Sequence, residues 1–281
     1  MSFLSNFLMM YPSRMNLRIA EAERVSMEAV QIPDGLVMSG GVELFRTDLF
    51  LPVYQPMSGE RWTLQVVPLN LCAGYWGETR LVTNMTVLTR RDGDSVRTWI
   101  SITPMELESQ EIGCRAATGE TVVMGLGMGW AAANAALRPE VSRVTVVERD
   151  PEVIEFSRRN GVFDQLPAEA GAKVAVVEGD ALTFVPDRPA ETLLADIWLP
   201  LNGDDRVDQV WRMQANTGAT RVYFWGQEMV IARRARDTGM TLDKESVARI
   251  VTEIGLPLIG PELPDYPDLI GRAAARWLAD V

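Results

Sequence analysis

Histidine is absent from all 281 residues. That absence excludes a Ser–His–Asp triad, a Cys–His pair and any His-ligated metal. Proton transfer is left to carboxylates, tyrosine, lysine, the substrate or water. Cysteine is scarce: Cys72 and Cys114 stand far apart and form no C-x-x-C, so neither a disulfide framework nor a thiolate zinc site is expected. Lysine is reduced to Lys173 and Lys244, which leaves two candidates for Schiff-base chemistry. Basic residues number 27 against 38 acidic, for a net charge of −11, and no basic cluster stands out. A protein that binds the phosphate backbone carries such a cluster, so nucleic acid is not expected as substrate. An acidic field attracts cationic small molecules instead. No apolar run reaches the roughly 18–20 residues a membrane span needs, so no membrane partner is expected. The opening MSFLSNFLMMY is apolar but short, with no basic residue before it and no small-residue cleavage site. It reads as a helix packing on the body or on a second subunit rather than as a signal peptide, and the expected location is cytoplasmic.

Three regions separate by texture. Residues 1–115 read as a β-rich domain with an N-terminal helix. WTLQVV, TRLVTNMTVLT and SVRTWISI are rich in β-branched and aromatic residues, and Asp92-Gly93 between two of them signals a hairpin. TPMELESQEIG then reads as a short helix. Residues 116–240 alternate apolar strands (121–125, 143–148, 173–177, 192–196, 220–225) with helices (129–138, 151–159, about 205–214, 228–237), the signature of a parallel sheet with crossover helices. Residues 241–281 form a helical extension, with helices at 243–255 and 268–280 about a Pro-rich link. The fold class that follows is α/β: a Rossmann-like doubly wound sheet of order 3-2-1-4-5, a β-rich N-terminal domain and C-terminal helices.

The stretch TVVMGLGMGW places Gly125, Gly127 and Gly129 directly after an apolar run and before a helix. Glycines there let backbone approach a ligand, and a helix N-terminus offers free N–H groups. A dinucleotide fingerprint would be spaced G-x-G-x-x-G; the tighter G-x-G-x-G suits a ligand without a pyrophosphate. Nineteen residues after Gly129 the next strand ends on Glu148, where a carboxylate can accept from both hydroxyls of a ribose. The third strand ends in Asp180-Ala181, a placement that suits an adenine amine, and the fourth delivers Asp196 to the same edge.

These segments resemble the class I S-adenosylmethionine-dependent methyltransferase superfamily. VTVVERDPEVIEFSRR and VVEGDAL are most similar to its spermidine synthase-like, or aminopropyltransferase, branch. The resemblance spans roughly residues 118–230. It implies S-adenosylmethionine as cosubstrate, with Gly125, Gly127, Met128 and Gly129 along its methionine and ribose, Glu148 and Arg149 at the ribose, Asp180 and Ala181 at the adenine. Asp196 would face the transferred group as the catalytic residue. It also implies a homodimer, as relatives of that branch associate. Three positions depart from the patterns. Val123 and Met128 stand where the superfamily and the branch, respectively, carry a carboxylate near the methionine amine. Leu199 replaces the carboxylate that deprotonates an attacking polyamine. The expected activity is methyl transfer to a small-molecule acceptor; the alternatives are aminopropyl transfer and a cofactor-binding protein without catalysis.

Other residues have two readings. Trp130 and Trp198 flank the expected site, as acceptor walls or as core. Glu106, Glu108 and Glu111 read as a solvated helix face, with the alternative that they replace the missing amine-binding carboxylate. Tyr75 and Trp76 belong to the N-terminal core or to a lid.

Overall fold

The structure is a computed structural model that describes residues 42–203 and 205–278. The helix expected near the N-terminus lies outside the described residues. Two sheets carry the architecture. The first is an antiparallel meander of β1 (Met57–Ser58), β2 (Trp62–Cys72), β3 (Arg80–Asp92) and β4 (Ser95–Ser101), in the order β1-β2-β3-β4. The hairpin foreseen at Asp92-Gly93 is there one residue later: Asp92 pairs with Ser95 across a Gly93-Asp94 loop, and Gly93 supplies the positive φ of 61°. Leu88 pairs with Ile100 but Thr89 with Thr98, so Trp99 is an extra residue in β4. A bulge of this kind re-aims a side chain, and its consequence appears in the site below.

Helix α1 (Pro104–Ala116) joins the meander to the second sheet. Thr103 caps it, accepting from the Glu106 backbone N–H, and Pro104 occupies the first turn, where no N–H is needed. The second sheet is parallel and holds β5 (Gly119–Met124), β6 (Val141–Glu148), β7 (Val174–Glu178), β8 (Thr192–Ala195) and β9 (Arg221–Phe224), ordered β7-β6-β5-β8-β9. Numbered within the sheet, that is 3-2-1-4-5, the doubly wound order expected from the sequence. Helices cover both faces: α2 (Trp130–Leu137), α3 (Pro151–Arg159), the single turn α4 (Ala168–Gly171), α5 (Arg206–Thr217) and α6 (Gln227–Asp237). The central strand is therefore a near-continuous apolar run rather than an alternating one; Val122, Val123 and Met124 are all buried.

Helices α7 (Lys244–Ile254) and α8 (Tyr266–Trp277) follow. Between them the chain touches the sheet once more, where Val222 accepts from the Ile259 N–H and donates to the Pro257 carbonyl. No described helix is long and apolar enough to cross a membrane.

Candidate active site

Strand register builds the site. Met124 is level with Val147 on one side and with Ala195 on the other, and Glu148 is level with Glu178. Gly125, Glu148, Gly179-Asp180 and Asp196 therefore come together at one carboxyl edge, at the point where the strand order reverses. Ligands of open α/β sheets bind there. A cavity of about 530 Å³ opens over that edge, within the 300–1,000 Å³ range of small-molecule sites.

Gly125, Gly127, Glu148, Arg149, Asp180, Ala181 and Asp196 all line this cavity. Met128 and Gly129, expected along the same ligand, do not line it. The Met128 side chain is buried in the core and its carbonyl accepts from the Tyr54 hydroxyl at 2.9 Å. Gly129 is the left-handed cap of α2, and a Cβ there would press on Val162 at 2.9 Å. Alternate glycines of a tight turn cannot all face one side. Gly125 serves close approach in a different sense: with φ 95°, a Cβ on it would run into the Asp196 carbonyl oxygen.

Glu148 is already engaged. One carboxylate oxygen accepts from the Leu126 N–H (3.0 Å), the other from the Asp150 N–H (2.9 Å). A carboxylate has about four acceptor positions, so two are left for hydroxyl donors. Asp180 is exposed, and one of its oxygens accepts from the Leu182 N–H at 2.8 Å.

Asp196 has a partner that sequence reading assigned to solvent. Glu106 on α1 is 7% exposed and lines the cavity, so the solvated helix face does not exist at this residue. Gln110, one turn on, donates through Nε2 to Glu106 Oε1 (3.2 Å) and to Asp196 Oδ2 (2.9 Å). That nitrogen has two hydrogens and spends both. Burial raises the Asp196 carboxyl to about 7, against the downward pull of the nearby Arg206 charge and the Gln110 bond. Burial also raises Glu106 well above the usual carboxylate range, and the Asp196 charge adds to it. The other two glutamates of the helix behave differently: Glu108 accepts from the Trp76 and Gly77 N–H groups, and Glu111 pairs with Arg115.

Arg206 is fully buried, yet it is not an ion-pair partner for Asp196. Its guanidinium donates to the carbonyls of Gly203, Trp225 and Pro200 and lies against the rings of Trp198 and Trp225. It fixes the loops after β8 and β9. Leu199 does not line the cavity.

The walls are aromatic. Trp62, Trp99, Trp130, Trp198 and Trp225 all line the cavity. The bulge in β4 delivers Trp99, which meets Trp62 edge-on with ring centroids 5.4 Å apart, under the Arg90 guanidinium. Trp198 is held by Gln209 at 3.0 Å. Trp130 is 1% exposed, and its indole N–H has no hydrogen-bond partner. The meander is thus a wall of the site: Ile100 sits 3.0 Å from where a Gly127 Cβ would be, and Trp62 Nε1 donates to Asp150 at 2.9 Å. Arg61 closes the same seam with an ion pair to Asp150. Cys72 and Cys114 are buried, which pushes both thiols up to about 12 and removes them as nucleophiles.

No family model matches the chain, and no curated protein matches it. Solved structures resemble part of the chain. The glycopeptide N-methyltransferase MtfA complexed with (S)-adenosyl-L-methionine is 20% identical over 39% of this chain and 48% of its own, with TM-score 0.30. The methyltransferase domain of bacterial CtHen1 is 12% identical over 42% and 65%, with TM-score 0.33. DhpI in its SAM–HEP complex is 20% identical over 41% and 51%, with TM-score 0.31. The chain thus spans about half to two thirds of the proteins it resembles. The fold itself, a Rossmann-like doubly wound sheet, rests on the strand order rather than on these likenesses.

Proposed function

We propose that this chain is an S-adenosylmethionine-dependent methyltransferase acting on a small molecule. One observation carries the reading: Gly125, Glu148, Asp180-Ala181 and Asp196, from the ends of four strands, come to one sheet edge around one cavity. The cavity fits the cosubstrate on its own chemistry. Glu148 retains acceptor capacity for a ribose, Gly125 lets the Asp196 backbone come close beside it, and Ala181 offers a small apolar contact beside Asp180.

S-Adenosylmethionine supplies a methyl group on a sulfonium, open to in-line displacement. The chain's residues need only align the nucleophile and exclude water. The tryptophan walls supply apolar surface for that. Asp196, with one oxygen held by Gln110, is positioned to orient an N–H or O–H nucleophile and take its proton, and a carboxyl raised to about 7 suits that task. Neither histidine nor metal is called upon.

Aminopropyl transfer, the spermidine synthase-like reading, stands second. Nothing at position 199 can deprotonate an amine, and Leu199 lies off the cavity. The test is incubation of the protein with methyl-labelled S-adenosylmethionine and the small-molecule fraction of a cell extract. Label in a small-molecule product is expected. Label found only in RNA or protein added alongside would overturn the acceptor class. Turnover with decarboxylated S-adenosylmethionine alone would promote aminopropyl transfer. Binding without transfer would leave a cofactor-binding protein.

A further inference from the structure

The amino-acid end of such a cosubstrate needs a site for its α-ammonium, and the two obvious positions are empty of charge: Val123 is the penultimate residue of the central strand and Met128 is turned into the core. The register says where that end must fall. Glu148 and Asp196 flank Gly125 on opposite sides, so a ligand whose ribose meets Glu148 and which crosses Gly125 arrives at Asp196 and, through Gln110, at Glu106.

That corner lacks something. Two carboxylates share a single neutral donor nitrogen, and among the described residues neither has an ion pair. The nearby guanidinium of Arg206 makes no ion pair with either and gives three of its five N–H groups to backbone carbonyls. A buried pair in this condition either holds a proton or receives a cation. A second, independent orphan belongs to a residue of the same cavity lining: the indole N–H of Trp130 is buried and without an acceptor. Helix α2 begins at Trp130 with no side-chain cap, so its first-turn N–H groups are also without a capping acceptor. Unfilled acceptors for a cation and unfilled donors for an anion, in one cavity, match a zwitterionic α-amino acid.

We propose that Glu106, tied through Gln110 to Asp196, receives the α-ammonium of the cosubstrate, and that the Trp130 indole N–H takes its α-carboxylate. This rests on the methyltransferase reading. It makes the helix ahead of the sheet, rather than the strand end or the glycine turn, the source of the ammonium-binding carboxylate. Glu106 and Trp130 are then specificity residues for the intact amino acid, distinct from the ribose and adenine contacts.

The test compares two ligands by calorimetry: S-adenosylhomocysteine, which carries the amino acid, and 5′-methylthioadenosine, which lacks it. Glu106→Gln is expected to weaken the first about tenfold to a hundredfold, the range of a lost charge-assisted hydrogen bond, and to leave the second within about twofold. Equal loss for both ligands would mean that Glu106 only shapes the pocket, and no loss for either would reserve the pair for an acceptor amine. Either result overturns the inference while the methyltransferase reading survives. Wild-type protein that binds neither ligand would overturn both. A measurement without substitution guards against a misfolded variant. Wild-type protein should bind a deaminated analogue of S-adenosylhomocysteine at least tenfold more weakly than the parent, and equal affinities would contradict the assignment.

Discussion

Buried carboxylates occupy two sites in this molecule, Glu228 in one and Glu106 with Asp196 in the other, and the sites are built on opposite principles. Glu228, at the start of α6, is fully buried and saturated. Its oxygens accept from the hydroxyls of Tyr75 (3.2 Å), Tyr223 (3.0 Å) and Tyr266 (3.0 Å), and Gln227 donates in turn to Tyr266 and to the Ile259 carbonyl. These residues come from the meander side, β9, α6 and α8, and the cluster pins all four together away from the cavity. Glu106 and Asp196 share one donor and face the cavity. Burial raises an acid in both groups, Glu228 and Asp196 each to about 7. A raised acid is therefore no mark of function by itself here. Unmet hydrogen-bonding capacity beside a cavity is the feature that separates the two.

The sharpest way to break this comparison is to remove one acid from each group. Asp196→Asn is expected to lower the rate of methyl transfer by about 10²–10⁴, the range of general acid–base assistance, while shifting the unfolding midpoint little. A single-turnover label-transfer assay on the product found with wild-type protein checks it. Glu228→Ala should do the reverse. It takes the acceptor from the Tyr75 and Tyr266 hydroxyls in a closed interior, while Tyr223 keeps the Ser109 carbonyl, at a cost of about 2–4 kcal/mol in urea unfolding, with ligand affinity of the folded protein kept.

Much of the fold behind these predictions is legible in the sequence. The parallel strands announce themselves as apolar runs ending in glycine or carboxylate, and the helices as capped amphipathic segments, because both faces of a parallel sheet are covered and each element keeps its own period. The ligand edge is legible for the same reason: Glu148, Asp180 and Asp196 are strand-end residues, and register follows from strand length. Glu106 is not legible. Helix α1 buries polar and apolar residues around most of its circumference, Glu106, Ser109 and Gln110 included, so its three glutamates look alike in sequence while meeting three different surroundings. Trp99 owes its place to a bulge that no spacing encodes. Met128 and Gly129 lie off the cavity lining, a placement the spacing does not show, because it marks a turn as tight without showing which residues it turns inward.

Acidity offers a finer test of the contrast. Glu228 is raised in the folded protein above its ordinary value of 4.5, so the native state binds more protons than the unfolded chain between about pH 4.5 and 7. Its contribution is fully present at low pH and is lost as pH rises through 7. A shift of this size corresponds to stability on the order of 3 kcal/mol. Wild-type stability should fall from pH 5 to pH 8, and Glu228→Gln should fall less steeply; parallel slopes in urea titrations would show that the carboxyl is ionised throughout. Asp196 and Glu106 act in the same direction, so the variant keeps part of the slope.

The smallest effects separate the groups by single atoms. Tyr266→Phe removes one hydroxyl that both accepts from Gln227 and donates to Glu228, and should cost about 1–2 kcal/mol of stability without changing ligand affinity. Trp130→Phe removes an N–H that has no partner. The smaller ring leaves part of a buried indole's volume empty, at a cost of about 1–2 kcal/mol, and the lost N–H should weaken S-adenosylhomocysteine severalfold while leaving 5′-methylthioadenosine within about twofold. Were the two outcomes exchanged, the saturated group would be the functional one.

The central claim, that the cavity at the sheet edge holds an S-adenosyl ligand, is tested most directly by thermal unfolding with S-adenosylhomocysteine against NAD. A ligand at a hundred times its dissociation constant adds about 2.7 kcal/mol, which at this size raises the midpoint by roughly 5–10 °C. A shift of that order with S-adenosylhomocysteine and none with NAD is the predicted result. An unchanged midpoint with S-adenosylhomocysteine at millimolar concentration, or a shift with NAD alone, would contradict it.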